Sequence, residues 1–315
     1  MAKIDTNIEP LSSIGTTPEA DVTAVHHVFT VLKGFFLQDD LDTDPEGFDY
    51  NDPDLNFGLI NRAYDTDTSF DVSRQKTQWQ RFERYVSDLN FESPKNTQYK
   101  ILFMGRHGEG YHNVAERYYG TAEWDRYWSK LEGNGTVTWA DAHLTDIGIE
   151  QAKTANAFWK RGIREWGIPV PEKYYTSPLD RCLATAQYTF EGLELPADRP
   201  FVPEVKELLR EVIGVHTCDR RSSRTYIESH YPAYKIEDGL TEDDELYSPT
   251  HRETTEEQVT RLRELLNDVF THDKNTWISF TSHSGAIAAL LEALGHRKFR
   301  LPTGGVIPVL VKAVA

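Results

Sequence analysis

Residues 99–104 read Tyr-Lys-Ile-Leu-Phe-Met, a short run interrupted by one lysine and ended by Gly105. So continuous an apolar stretch suits a strand covered on both faces, as in a parallel sheet, better than one with a wet face. Residues 173–176, 277–280 and 306–311 read as further short strands. Between them lie helical patterns. Residues 146–166 put Ile149, Ala152, Ala155 and Trp159 on one apolar face, and a second helix is expected over 180–190. Thr254 to Glu257 has the capping-box pattern ahead of Val259, Leu262, Leu266 and Val269, and Ser284 stands where it can cap a helix over 285–294. This alternation predicts an α/β fold: a three-layer α/β/α sandwich around a mostly parallel central sheet.

Three of the predicted strands end in chemically active residues: Arg106-His107-Gly108, then Ser177 to Arg181, then Ser282-His283-Ser284-Gly285. Ligands of open α/β sheets bind outside the carboxyl ends of the strands, so these segments are expected to converge there. Two imidazoles, two guanidinium forks and the free N–H groups of helix starts would form an anion site suited to phosphoryl oxygens.

The rest of the chain frames this centre. The first 23 or so residues, rich in Ser, Thr, Pro and acid, read as a loosely ordered arm. Residues up to 95 carry acid-rich turns and a helix with Trp79, Phe82 and Tyr85, too few anchors for an independent core, so they are expected to pack as an extension on a main domain of residues 96–315. The acidic, turn-rich stretch 222–252 reads as a surface insertion. With 34 basic against 50 acidic residues the net charge is −16 and no basic block stands out, which argues against nucleic-acid and anionic-membrane partners. A few arginines in a dry cleft still outweigh screened surface charge, so an anionic substrate is compatible. No basic start with an apolar stretch opens the chain, and no run approaches the roughly 18 apolar residues that span a bilayer. The expectation is a soluble protein of the cytoplasm, or also the nucleus. Cys182 and Cys218 are too few for a disulfide framework or a structural zinc site and read as bystander thiols. No cofactor or metal is expected, and no heptad pattern speaks to oligomeric state.

The triplet Arg106-His107-Gly108, with Asn113 six residues after the histidine, resembles the signature of the histidine phosphatase, or phosphoglycerate mutase-like, superfamily. Arg181 falls in a matching S-P-L-x-R-x-x-x-T-A stretch and His283 in a matching S-H-S-G segment. These matches, in the family's order, cover residues 99 to 311. The segment from Leu208 to His216, followed by Cys218-Asp219-Arg220-Arg221, is similar to the phosphoglycerate-mutase-like proteins of fungi and plants. The resemblance implies that His107 is the nucleophile, that Arg106, Arg181 and a protonated His283 stabilise the phosphoryl oxygens, and that Asn113 donates a neutral hydrogen bond, with Ser284 also placed as a phosphate ligand. It implies Glu211 as the acid that protonates the leaving oxygen. Glu211 stands three residues before Gly214, where the mutases proper have four, and Glu207 and Glu109 are lesser candidates. Arg220 and Arg221 are candidates to hold the non-reacting part of a substrate, or else they neutralise nearby acids. Tyr111, His112 and His216 could line the entrance or serve as structural hydrogen-bonding residues. The stretch from Asp141 to Gly148 also matches and is expected to shape a loop and cap a helix.

The function expected from this set is a metal-independent phosphatase acting on small phosphate monoesters through a phosphohistidine on His107. A phosphomutase of the phosphoglycerate mutase type uses the same parts, and a non-catalytic phosphate-binding module or a metallohydrolase are the remaining alternatives. Sugar phosphates, nucleotides or a phosphoprotein all remain open as substrates.

Overall fold

The computed structural model describes residues 26–315, so the expected arm of the first 23 residues lies outside them. Seven strands among the described residues form one sheet: β1 (Val28–Val31), β2 (Thr97–Arg106), β3 (Lys173–Thr176), β4 (Glu204–Val205), β5 (Lys235–Ile236), β6 (Trp277–Ser282) and β7 (Val306–Val314). Their spatial order is β1-β7-β2-β6-β3-β4-β5. The pairs β2–β6, β6–β3, β3–β4 and β4–β5 are parallel, while β7 runs antiparallel to both β1 and β2. The helices are α1 (Asp67–Phe70), α2 (Gln78–Glu92), α3 (Tyr111–Tyr119), α4 (Thr121–Arg126), α5 (Asp146–Arg161), α6 (Asp180–Phe190), α7 (Arg224–His230), α8 (Thr255–His272) and α9 (Ser284–Leu294). They cover both sides of the sheet, with α5 packed against α6 and α8 against α9, which makes the fold an α/β sandwich.

The middle of β2 is buried on both faces, as its apolar run requires. Phe103 meets Trp159 edge-on at 5.0 Å and lies parallel to Phe57 at 5.8 Å, while Phe57 contacts Phe158 at 4.8 Å. Phe36, Trp79, Phe82 and Val86, all ahead of β2, are fully buried in that same cluster, and truncating one such aromatic to Ala costs about 3–5 kcal/mol. A buried polar contact also ties this segment down. His296 Nε2 lies 3.3 Å from Asp39 Oδ1, and Asp39 Oδ2 accepts from the backbone N–H groups of Phe35 and Phe36.

Two stretches differ from expectation. The 146–166 helix stops being α-helical at Arg161 and continues as a π turn, Gly162–Trp166, because Gly167 takes a left-handed φ of 68° and ends it. Residues 222–252 do not simply lie on the surface: β5 extends the sheet edge, and Ile227, Tyr231 and Leu240 pack with Leu183 and Val205. Spaced among acids and turn residues, those anchors carry too little local periodicity to announce a buried segment.

Candidate active site

The carboxyl ends of β2, β3 and β6 lie side by side and deliver the three reactive segments to one place. His107 follows β2, and its N–H donates to Ser282 O at 2.9 Å across the sheet. Its Nδ1 lies 2.7 Å from Gly108 O. A carbonyl only accepts, so Nδ1 carries the hydrogen and the lone pair sits on Nε2. The Gly108 peptide that fixes this tautomer is itself held. Gly108 N–H donates to Thr185 Oγ1 at 3.0 Å, and Thr185 donates to Arg181 O at 2.7 Å. Only glycine fits at 108, because a Cβ there would run into the backbone of Gly148. Thr145 caps α5 by accepting from Gly148 N–H at 3.1 Å, which gives the Asp141-to-Gly148 stretch its capping and loop-shaping role.

The ring of His283 lies 5.1 Å from that of His107. It stands at the N-cap of α9, with Nε2 2.8 Å from Ser177 Oγ and the Cys182 thiol at 3.4 Å. Arg181, in the first turn of α6, is 1% exposed. It donates to Cys218 O at 2.6 Å and to Asp219 Oδ1 at 2.9 Å. A guanidinium carries five N–H groups, so three remain for an anion. Arg106 is anchored by Leu301 O at 2.8 Å. Asn113 accepts from Gly110 N–H at 3.0 Å through its oxygen, so its amide N–H groups are not spent on that bond. Beside them opens a cleft of about 420 Å³, walled by Arg106, Glu109, Asn113, Glu116, Arg117 and Thr303.

Glu211 reaches the same corner by a route its sequence neighbourhood does not reveal. Its Oε2 accepts from Gly285 N–H at 3.0 Å, and its Oε1 from Val212 N–H at 3.1 Å and the Gln258 amide at 3.3 Å. Helix N-termini present unpaired N–H groups that favour a carboxylate, so Glu211 does what was expected of the Ser284 hydroxyl, which makes no capping bond. Arg261 secures the backbone beneath it, donating to Glu211 O at 3.0 Å and to Leu208 O at 2.6 Å.

The other candidates are already engaged. Glu207 pairs with Arg210 and Arg221, and Glu109 with Arg117 and the Thr145 hydroxyl. The Arg221 side chain is 1% exposed, pairs with Glu207 and donates to the carbonyls of Ser222, Thr241, Glu242 and Asp243. This contradicts a substrate-binding role: its hydrogen-bonding capacity ties down the 222–252 stretch. Arg220 makes a two-pronged contact with Glu132 and lies over the Tyr247 ring. Tyr111 is exposed on α3, and His216 lies 3.5 Å from Asp125. His112 is half-buried, its ring 5.4 Å from that of His107. Both thiols are buried and unpaired. The ligand atoms of His216, Cys218 and Asp219 gather within 4.8 Å of one another, but the Asp219 carboxylate is committed to Arg181 and Arg252. Ser177 was named from sequence only as the start of the segment leading to Arg181, and Thr185, Gln258 and Arg261 were not singled out. Ser177 and Thr185 belong to the matched Arg181 stretch, whereas Gln258 and Arg261 carry no local signal.

Burial first, and then the positive charge of Arg181, hold His107, His112 and His283 well below the usual imidazole range. This differs from the expected protonated His283: in the free site it is neutral, because a buried imidazole beside two arginines gains nothing from a further charge. Stability follows with a definite sign. The unfolded chain protonates these rings near pH 6.5 while the folded one resists, so their contribution is complete above that pH and is lost as pH falls below it. Each ring can steepen the loss by up to about 1.4 kcal/mol per pH unit. His143, which Asp180 at 2.6 Å pushes the other way, offsets only part of this. Urea midpoints are expected to hold nearly level from pH 7.5 to about 6.5 and to fall from there to pH 5.5; a flat or rising profile below pH 6.5 would contradict the buried-neutral arrangement.

Residues 102–303 match the model of the histidine phosphatase superfamily, branch 1. A probable phosphoglycerate mutase of Arthroderma benhamiae is 56% identical over 284 residues, 90% of this chain and 84% of that protein. A probable phosphoglycerate mutase of Saccharomyces cerevisiae is 37% identical over 69% of this chain and 80% of its own. Among solved structures, a putative α-ribazole-5′-P phosphatase of Escherichia coli aligns with a TM-score of 0.41 at 18% identity, over 67% of this chain and 94% of that one. No helix of the described residues is long and apolar enough to cross a membrane. The converging strand ends, the matched model and the fungal relatives together assign the chain to the histidine phosphatase superfamily.

Proposed function

We propose that the protein is a metal-independent phosphatase that hydrolyses phosphate monoesters through a phosphohistidine on His107. The observation that carries this reading is the bond from His107 Nδ1 to Gly108 O, which leaves the Nε2 lone pair as a nucleophile beside His283 and two arginines. In the first step Glu211, which takes up a proton as the phosphoryl dianion arrives beside it, gives that proton to the leaving oxygen while Nε2 bonds to phosphorus and the ester P–O bond breaks. Arg106, Arg181 and the Asn113 amide take the charge on the equatorial oxygens. The phosphoryl dianion offsets the arginine charge on His283, which then takes up a proton. In the second step Glu211 removes a proton from water, the water oxygen bonds to phosphorus, and the P–N bond breaks to return neutral His107 and inorganic phosphate.

A phosphomutase is the second reading. It needs cations to hold the far end of a bisphosphate or phosphoglycerate, and Arg220 and Arg221, the candidates for that task, are paired with Glu132 and Glu207. This favours hydrolysis. Phosphate release across sugar phosphates, nucleotides, aryl phosphates and phosphopeptides, with EDTA present, tests the reading. Release from several esters is expected, with vanadate competing. Isomerisation of phosphoglycerate dependent on a retained bisphosphate, with negligible free phosphate, would favour the mutase.

A further inference from the structure

His112 is not needed for the steps just described, yet its ring sits against the nucleophile, 5.4 Å from His107 and tilted by 54°. The ring folds back over its own chain. A Cβ on Gly110 would stand 2.7 Å from His112 Nδ1 and 2.9 Å from Cε1, so glycine at 110 is what lets the imidazole lie there. Nδ1 is buried by this packing and has no hydrogen-bond partner among the described residues. A buried N–H without an acceptor is the worse of the two ways to leave that atom, so the hydrogen belongs on Nε2. Nε2 is the ring nitrogen that keeps accessible surface, and the described residues give it no partner either. The same burial, together with Arg181, His107 and Arg106, holds the ring neutral. The result is an uncharged donor with a set tautomer at the edge of an anion site.

We propose that His112 is a third imidazole of the active centre, donating its Nε2–H to an oxygen of the phosphoryl group being transferred. The proposal rests on the phosphatase reading above and adds a catalytic residue to it. A neutral donor suits this place: two arginines already supply the positive charge, and a further cation would lower the pKa of His107 and His283 still more. Spaced two residues apart, Gly110 and His112 act as a unit, the glycine making room and the histidine filling it.

Glutamine and asparagine separate this role from simple packing, because a glutamine amide reaches the place of Nε2 and an asparagine amide the place of Nδ1. His112→Phe is expected to lower kcat by about 10²-fold, the scale seen for one oxyanion donor, by similar factors for aryl and alkyl phosphates. Vanadate affinity, read by direct titration without turnover, is expected to fall about tenfold or more. His112→Gln is expected to recover most of both losses and His112→Asn little. A phenylalanine variant within about twofold of wild type in vanadate affinity and kcat would overturn the proposal, as would equal rescue by Asn and Gln. Should the phenylalanine variant not fold, the Gln–Asn comparison decides alone. A wild-type protein that binds vanadate but releases no phosphate would remove the phosphatase reading while leaving the vanadate comparison of His112 variants intact.

Discussion

Replacing His107 with alanine is expected to lower phosphate release by on the order of 10⁴-fold or more, the scale on which covalent enzymes lose turnover with their nucleophile. The same protein should still fold, since the position is held by backbone bonds to Ser282 and Gly304 that the substitution leaves in place. Rapid quenching of the wild type with a labelled ester should trap an acid-labile phosphoryl group that His107→Ala lacks. His283→Ala is the informative partner. Ser177 already engages His283 Nε2, whereas His107 Nε2 is the lone-pair end of a ring whose other nitrogen is bound. The label should therefore persist, more slowly formed, when His283 is removed. Label that survives His107→Ala and vanishes with His283→Ala would reverse the roles of the two rings. A further consequence concerns acid stability. His107→Ala removes one of three buried neutral imidazoles, so the variant should lose less stability than wild type between pH 7.5 and 5.5.

What local sequence carries and what it lacks explains which parts of this site were readable. The run at 99–104 and its stop at Gly105 are local, and β2 follows them with modest extension, Thr97–Arg106. Strand β3 and helix α6 match their expected bounds because each is a short apolar run or face closed by its own end signal. His107 and His283 directly follow strands and Arg181 opens the helix that leaves β3, so all three were visible together, because the topology of a parallel sheet gathers strand ends. Pairing between distant charges is another matter. Arg220 finds Glu132 88 residues away, and Arg221 folds back on Glu207 and on carbonyls some twenty residues ahead. No spacing rule contains those partners, so sequence alone left both arginines open between holding a substrate and neutralising nearby acids. Ser284 looked like a cap for the complementary reason. It has the right type at the right place, but a carboxylate 74 residues upstream arrives at Gly285 instead.

That long-range cap makes Glu211→Gln the most discriminating substitution after His107. The native carboxylate accepts on both oxygens, from Gly285 on one side and from Val212 and Gln258 on the other. A glutamine has one acceptor, so whichever way its amide turns, an NH₂ group confronts a backbone N–H. Losing that cap is expected to lower stability by about 0.5–2 kcal/mol, too little to unfold a domain of ordinary stability. The kinetic effect should be larger and should depend on the ester. Alkyl esters, whose leaving alkoxides need a proton, are expected to slow by about 10²- to 10⁴-fold, the usual yield of general acid catalysis. Aryl esters leave without help, so their first step should survive and the defect should move to the second, where Glu211 must activate water. Phosphoenzyme is then expected to accumulate, seen as a burst of phenol equal to the enzyme present, followed by slow turnover. Alkyl esters hydrolysed within a few-fold of the wild-type rate, without a burst from aryl esters, would leave Glu211 as a helix cap and return the acid's role to another group at the cleft, where Glu109 and Glu116 are the carboxylates beside Arg106.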